Sequence, residues 1–200
     1  MNKTEVKQRV LKDGKPLNLN LFKWNENNRI FSSEEANLVA DFSLINNCVF
    51  KAGDNCIFKT GDNCYFITGD NCVFDTGNDC YFDTGSDGVY KTGSNCFFDT
   101  TKYGIYKTGT NCSFKTRHYC TFNTPRGCTF ETGYDCIIVR RDNYEACKLK
   151  NDQTIRLDDS GEFIVLDEKD AKNFWHKFYS KDKFNIYFGT ILEELKDKNA

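Results

Sequence analysis

Between about residues 37 and 141 the chain alternates apolar and polar positions inside a fixed eight-residue frame. The stretch GDNCIFKTGDNCYFITGDNCVFDTG, from Gly53 to Gly77, shows the frame three times. Cysteine recurs at Cys48, Cys56, Cys64, Cys72, Cys80, Cys96, Cys112, Cys120, Cys128 and Cys136. The two skipped steps hold Gly88 and Gly104. An aromatic follows two residues later, from Phe50 to Phe130, with Tyr90 and Tyr106 after the two glycines and Ile138 last. Cys-x-Phe-x-Thr has period two and therefore predicts a strand, with Cys, Phe and Thr on one face and the x residues on the other. Gly-Asp-Asn predicts the turn, because Gly and Asn tolerate positive φ. The frame extends back one step to Ala40, Phe42 and Leu44.

A short period sustained over this length predicts a stacked solenoid. One octapeptide per coil would give a perimeter of roughly 26 Å, too small to enclose a Phe ring. Two octapeptides give two facing sheets about 10 Å apart, which Phe side chains fill. The residue after each Cys supports the larger coil. Alternate repeats carry Val49, Tyr65, Tyr81, Phe97, Ser113 and Thr129, and the intervening ones carry Ile57, Val73, Val89, Ile105, Thr121 and Ile137. One outer face is thus mixed aromatic and the other is almost wholly β-branched. The expected fold is mainly β: a two-sheet parallel β-solenoid with about 16 residues per coil and about six coils.

Three regions follow: a cap over 1–36, the solenoid over 37–141, and an α+β appendage over 142–200. VLKDGKPLNL reads as a hairpin, and Phe22, Trp24 and Phe31 can cover the open Phe stack. EACKLKNDQTIRLDDSGEFIVL reads as two or three strands packing on the last coil or along a solenoid face. DEKDAKNFWHKFYSK predicts a helix with Ala171, Phe174, Trp175 and Phe178 on one face, and TILEELKDK a last short helix.

Composition changes this picture little. Net charge is −2, which gives no electrostatic footprint for nucleic acid. No apolar run reaches the roughly 20 residues that span a bilayer. MNKTEVKQRVLKDGK is not a signal peptide. The eleven cysteines are odd in number and periodic, so free thiols in a reducing compartment are expected over a disulfide scaffold.

Candidate chemistry is sparse. The cysteine ladders could bind soft metal ions, but small buried side chains beside Phe account for them as packing. Asp54, Asp70 and Asp87 at one corner, with Asp62 and Asp79 at the other, are the candidate calcium ligands. Calcium, however, needs several oxygens converging on one point. Turn stabilisation, with Asn55, Asn63, Asn71, Asn95 and Asn111 in amide ladders, is the simpler reading. In later turns Lys102, Arg117, His118 and Arg126 replace acids, so the rod is electrostatically polar. Regular outward Thr pairs, as on ice-binding faces, are lacking, and Lys51, Lys59, Lys91, Lys107 and Lys115 break any acidic face that could mimic DNA. His118 and His176 have no nucleophile or carboxylate at informative spacing, and Asp75, Asp83 and Asp99 are not expected to form a run on one sheet. No catalytic, cofactor or metal residue is assigned, and the chain is read as non-enzymatic.

The outward lines are the strongest functional signal. Ile57, Val73, Val89, Ile105 and Ile137 would form an apolar line on one sheet, and Tyr65, Tyr81 and Phe97 an aromatic line on the other. The repeat resembles GDNCxFxT-type octapeptide solenoids of phages, large DNA viruses and bacteria, and its architecture resembles RTX β-rolls and pentapeptide-repeat solenoids. The RTX calcium motif Gly-Gly-x-Gly-x-Asp is missing. The resemblance implies shape and a phage or viral origin, hence a virion-associated location as the alternative to the cytoplasmic one that the free thiols suggest. The expected role is a structural or protein-interaction module that self-associates or binds a protein partner. The alternative is a ligand- or metal-binding solenoid using the corners or cysteine ladders.

Overall fold

The computed structural model describes residues 1–140, 146–149 and 153–179. It divides into two units, Met1–Ile164 and Val165–Ala200. The first is a β-solenoid made of two ten-stranded sheets. One sheet, here the β-branched sheet, stacks Leu38–Phe42, Ile57–Thr60, Val73–Asp75, Val89–Lys91, Ile105–Lys107, Thr121–Thr124 and Ile137–Arg140. The other, the aromatic sheet, stacks Ile30–Ser32, Val49–Lys51, Tyr65–Thr68, Tyr81–Thr84, Phe97–Thr100, Ser113–Lys115 and Thr129–Thr132. Within each stack the strands are parallel and in register at a sixteen-residue step, as in Tyr65↔Tyr81↔Phe97 and Val73↔Val89↔Ile105.

The two stacks make seven turns, one more than expected, because Ile30–Ser32 is already a coil strand rather than part of the cap. The first coil is also longer. Ala40 pairs with Phe58 and Phe42 with Thr60, two residues out of the expected frame. The extra length sits in the corner after Phe42, where Leu44 takes φ 64° and is almost fully exposed.

The core is a column of rings. Successive rings on one sheet lie nearly parallel, as in Phe82–Phe98 (4.8 Å, 3°) and Tyr90–Tyr106 (4.7 Å, 3°). Rings facing one another across the core meet edge to face, as in Phe82–Tyr90 (5.4 Å, 79°). Both geometries suit the aromatic quadrupole, and each pair adds about 0.5–1.5 kcal/mol beyond burial.

Both ends of the solenoid are closed by antiparallel strands. At the start, Asn2 caps the helix Lys3–Arg9 through a reciprocal bond pair with Glu5. Val10–Lys12 and Lys15–Pro16 form the expected hairpin around Asp13 and Gly14, both with positive φ, and Val10–Lys12 pairs with Leu38–Phe42. Lys23–Asn25 pairs with Ile30–Ser32; Phe22 stacks on Phe31 at 5.5 Å and Trp24 lies 6.3 Å from Phe42. At the other end Ala146–Lys148 pairs with Ile137–Arg140, and Gln153–Leu157 with Thr129–Thr132. These strands satisfy the edges that an open solenoid would leave available for aggregation.

The second unit contains a helix, Glu168–Tyr179, begun by Asp167, whose carboxylate accepts from the Asp170 backbone N–H at 2.8 Å. The side chains of Trp175 and Phe178, and the segment TILEELKDK, lie outside the described residues.

Candidate functional site

The corners are built from the Gly-Asp-Asn triplet, and each residue has a separate task. The third residue takes the left-handed conformation: φ is 56° at Asn55, 54° at Asn63, 57° at Asn71 and 58° at Asn95. The second residue forms the side-chain ladder. Asp62 N–H donates to Asn46 Oδ1 (2.8 Å), Asn78 N–H to Asp62 Oδ1 (2.7 Å), and Ser94 N–H to Asn78 Oδ1 (2.8 Å). At the opposite corner Asp70 N–H donates to Asp54 Oδ1 (2.9 Å) and Ser86 N–H to Asp70 Oδ1 (2.7 Å). The first residue is glycine at most corners because the ladder side chain of the preceding coil passes close by, with Thr101, Arg117 and Pro125 holding that place in later corners. A Cβ on Gly69 would stand 2.9 Å from Asp54 Cγ.

Two expectations are corrected here. The ladder runs one residue before the asparagines at 55, 63, 71, 95 and 111, which supply positive φ instead. Asp87 and Asp79 likewise occupy the left-handed position (φ 60° and 57°), out of line with Asp54, Asp70 and Asp62. The corner acids therefore do not converge as one set. Among the described residues no group of three or more His, Cys, Asp or Glu is placed to hold a metal ion.

The cysteines are free thiols, buried except for Cys147, which is part-buried. Each repeat thiol lies near corner carbonyls: Cys80 Sγ donates toward Asn78 O (3.4 Å) and, one coil below, Gly61 O (3.6 Å). A small side chain with a weak donor fits this position. Hydrogen bonding to the next sulfur, together with burial, pushes Cys96 and Cys112 up to about 12, so these thiols are neutral at pH 7.

Gly88 and Gly104 now have a physical explanation. The hydroxyl of Tyr90 occupies the space of the missing cysteine and bonds to Thr84. A Cβ on Gly88 would come within 2.5 Å of Tyr90 Cζ. Gly104, Tyr106 and Thr100 repeat the arrangement one coil on. Gly-x-Tyr is thus a volume-conserving replacement for Cys-x-Phe.

The two outward lines differ sharply. The Ile/Val line is exposed, from 38% at Val73 to 55% at Ile105, with Ile57, Val89 and Ile137 between. Val39 extends it at one end, and part-exposed Thr121 interrupts it. The aromatic line forms, with Tyr65–Tyr81 stacked at 4.7 Å and Tyr81–Phe97 at 4.8 Å, but Tyr65 and Phe97 are only 3% and 2% exposed. Of the two lines, only the Ile/Val line presents a row of exposed side chains.

The polarity expected of the corners is present and carries aromatic rings that sequence reading did not single out. On the corner leading into the β-branched sheet, Asp54, Asp70 and Ser86 give way to Lys102, His118 and Tyr134. Tyr103 and Tyr119 take the left-handed position (φ 58° and 59°), stack at 5.1 Å and stand exposed. The signal was available: both tyrosines sit where every earlier repeat on that corner has Asn or Asp. His118 is a ladder residue, its Nδ1 accepting from Tyr134 N–H at 3.1 Å. The side chain of His176 lies outside the described residues.

As expected, Asp75, Asp83 and Asp99 do not form a run on one sheet: Asp83 and Asp99 pair directly, whereas Asp75 lies on the other sheet. Burial, then the neighbouring Asp99, raises the Asp83 carboxyl. Open grooves lie beside Leu44, Lys59 and Asp62 (about 470 Å³), beside Arg117, His118 and Glu131 (about 440 Å³) and beside Phe22, Ser33 and Glu35 (about 260 Å³). No protein-family model, curated protein or solved structure matches the chain.

Proposed function

We propose that this chain is a non-enzymatic structural or protein-interaction module, a flat-sided β-solenoid that associates through the β-branched sheet. The observation that carries this reading is the exposed line Val39, Ile57, Val73, Val89, Ile105 and Ile137 on one parallel, in-register sheet. Solvated strands commonly carry polar residues outward. A row of exposed apolar side chains, each directly above the next, is the chemistry of a buried contact. The thiol-rich core fits a reducing compartment.

The test is absolute mass by light scattering, with and without chelator, on wild type and Val89→Lys. Association that is unaffected by chelator and lost in Val89→Lys supports the reading. A Val89→Lys protein that assembles like wild type would reduce the line to strand-forming residues. A mass that changes with chelator would favour metal or ligand binding at the corners or cysteine ladders.

A further inference from the structure

Resting on that reading, we propose that the occupant of the Ile/Val face is a second copy of this chain. The two copies pack face to face and antiparallel, about a two-fold axis that runs along the strands through Val89.

Val89 is the middle of seven rows: Val39, Ile57, Val73, Val89, Ile105, Thr121 and Ile137. A two-fold axis along that row reverses the order of the coils and keeps the strand direction. Val89 then meets itself, Val73 meets Ile105, Ile57 meets Thr121 and Val39 meets Ile137. Apolar side chains meet along nearly the whole line.

The charges follow the same symmetry. In the next outward column Asp75 lies two rows from Lys107 with Lys91 between, so the axis sets Asp75 of each copy against Lys107 of the other. All three are exposed. Lys91, on the axis, is already paired with Asp75 at 3.1 Å. On the adjacent corner the same operation sets Asp70 opposite Lys102, and Asp54 opposite the Arg117–His118 pair. The acidic-to-basic change along the rod is therefore self-complementary under this axis. A two-fold axis along the rod would run the facing strands in opposite directions and bring neither set together. Two features oppose the contact, since Asp87 and Lys91 both fall on the axis row and each faces its own copy; the Lys91 charge is offset by its pairing with Asp75.

The area is adequate for a modest affinity. Six steps of about 4.8 Å give a face about 29 Å long. With a breadth of roughly 18 Å, each copy buries on the order of 500 Å², at the low end for specific association. The expected dimer is micromolar and weakens with salt, because its charged pairs lie at the rim.

A charge exchange tests this. Asp75→Lys and Lys107→Asp are made as separate full-length chains, each checked for native circular dichroism, and studied by sedimentation at low ionic strength. Wild type should dimerise. Each variant alone should dimerise at least tenfold more weakly, since it sets like charges together at both symmetry-related contacts. An equimolar mixture should recover wild-type affinity, because the mixed pair restores both contacts, and Asp87→Asn should tighten the wild-type pair. If wild type dimerises but the variants do so equally well, or the mixture shows no recovery, the antiparallel arrangement is wrong while the face can still be the interface. If wild type remains monomeric at several hundred micromolar, a second copy is not the occupant. The Val89→Lys comparison against a foreign partner then decides the broader reading separately.

Discussion

The two Gly-x-Tyr coils allow the packing argument to be tested with a closed mutational cycle. Tyr90→Phe alone removes the hydroxyl bonded to Thr84 and leaves a buried threonine oxygen unpaired beside a void. Losses of this kind cost about 1–3 kcal/mol. Gly88→Cys alone drives a Cβ to within 2.5 Å of Tyr90 Cζ in a core that has no spare volume, which costs a further 1–3 kcal/mol or so. The double variant rebuilds Cys-x-Phe, the arrangement present one coil earlier at Cys72 and Phe74, where both side chains are buried without conflict. It should therefore lie within about 1 kcal/mol of wild type, giving a coupling energy of about 3 kcal/mol, at the top of the range for residues in direct contact. For a chain of this size that corresponds to about 6–12 °C in Tm. The assay is thermal and urea unfolding of the four proteins in reducing buffer. If the double variant loses as much as the two single variants combined, the tyrosine hydroxyl does not stand in for the cysteine.

Two further predictions concern the core. Under native conditions a thiol reagent should modify Cys147 first and leave the buried repeat cysteines unmodified, with all eleven thiols reacting after denaturation; rapid native labelling of several repeat cysteines would show that the coils open readily. Burial raises the phenols of Tyr90 and Tyr106 above their ordinary value of 10.0. A folded-state pKa above the unfolded one contributes stability that is complete below pH about 10 and is lost as pH rises beyond it. The thiols of Cys96 and Cys112, raised from 9.0, act the same way from lower pH, so unfolding midpoints should begin to fall above pH about 9 and fall more steeply above 10, and Tyr90→Phe should lessen the steeper part; a slope that does not change in Tyr90→Phe would contradict the burial of that hydroxyl.

The period, the two-sheet coil and the outward parity could be read directly from the chain, because each is enforced by a side-chain alternation of two and a corner every eight residues. The errors arise where that alternation is blind. Leu38, Ala40 and Phe42 keep the same inward pattern when the strand slides by two residues, so pattern alone could not show that Phe42 pairs with Thr60. The long corner holding Leu44 fixes the register, and it resembles no other corner among the described residues. Asp and Asn both tolerate positive φ and both offer a side-chain acceptor, so Gly-Asp-Asn does not reveal which residue forms the ladder. The glycine decides it: a Cβ there would collide with the second residue of the coil below, not the third. The same limit applies to the candidate site. Parity identified two outward lines, but alternation does not set exposure, which divides Val73 at 38% from Phe97 at 2%. Charge polarity was also visible along the corner, yet its consequence required the rows to be counted in three dimensions. Only when Val89 is known to be fourth of seven do Asp75 and Lys107 become equidistant from one axis, and a gradient that could have been sequence drift becomes a specific prediction about which copy faces which.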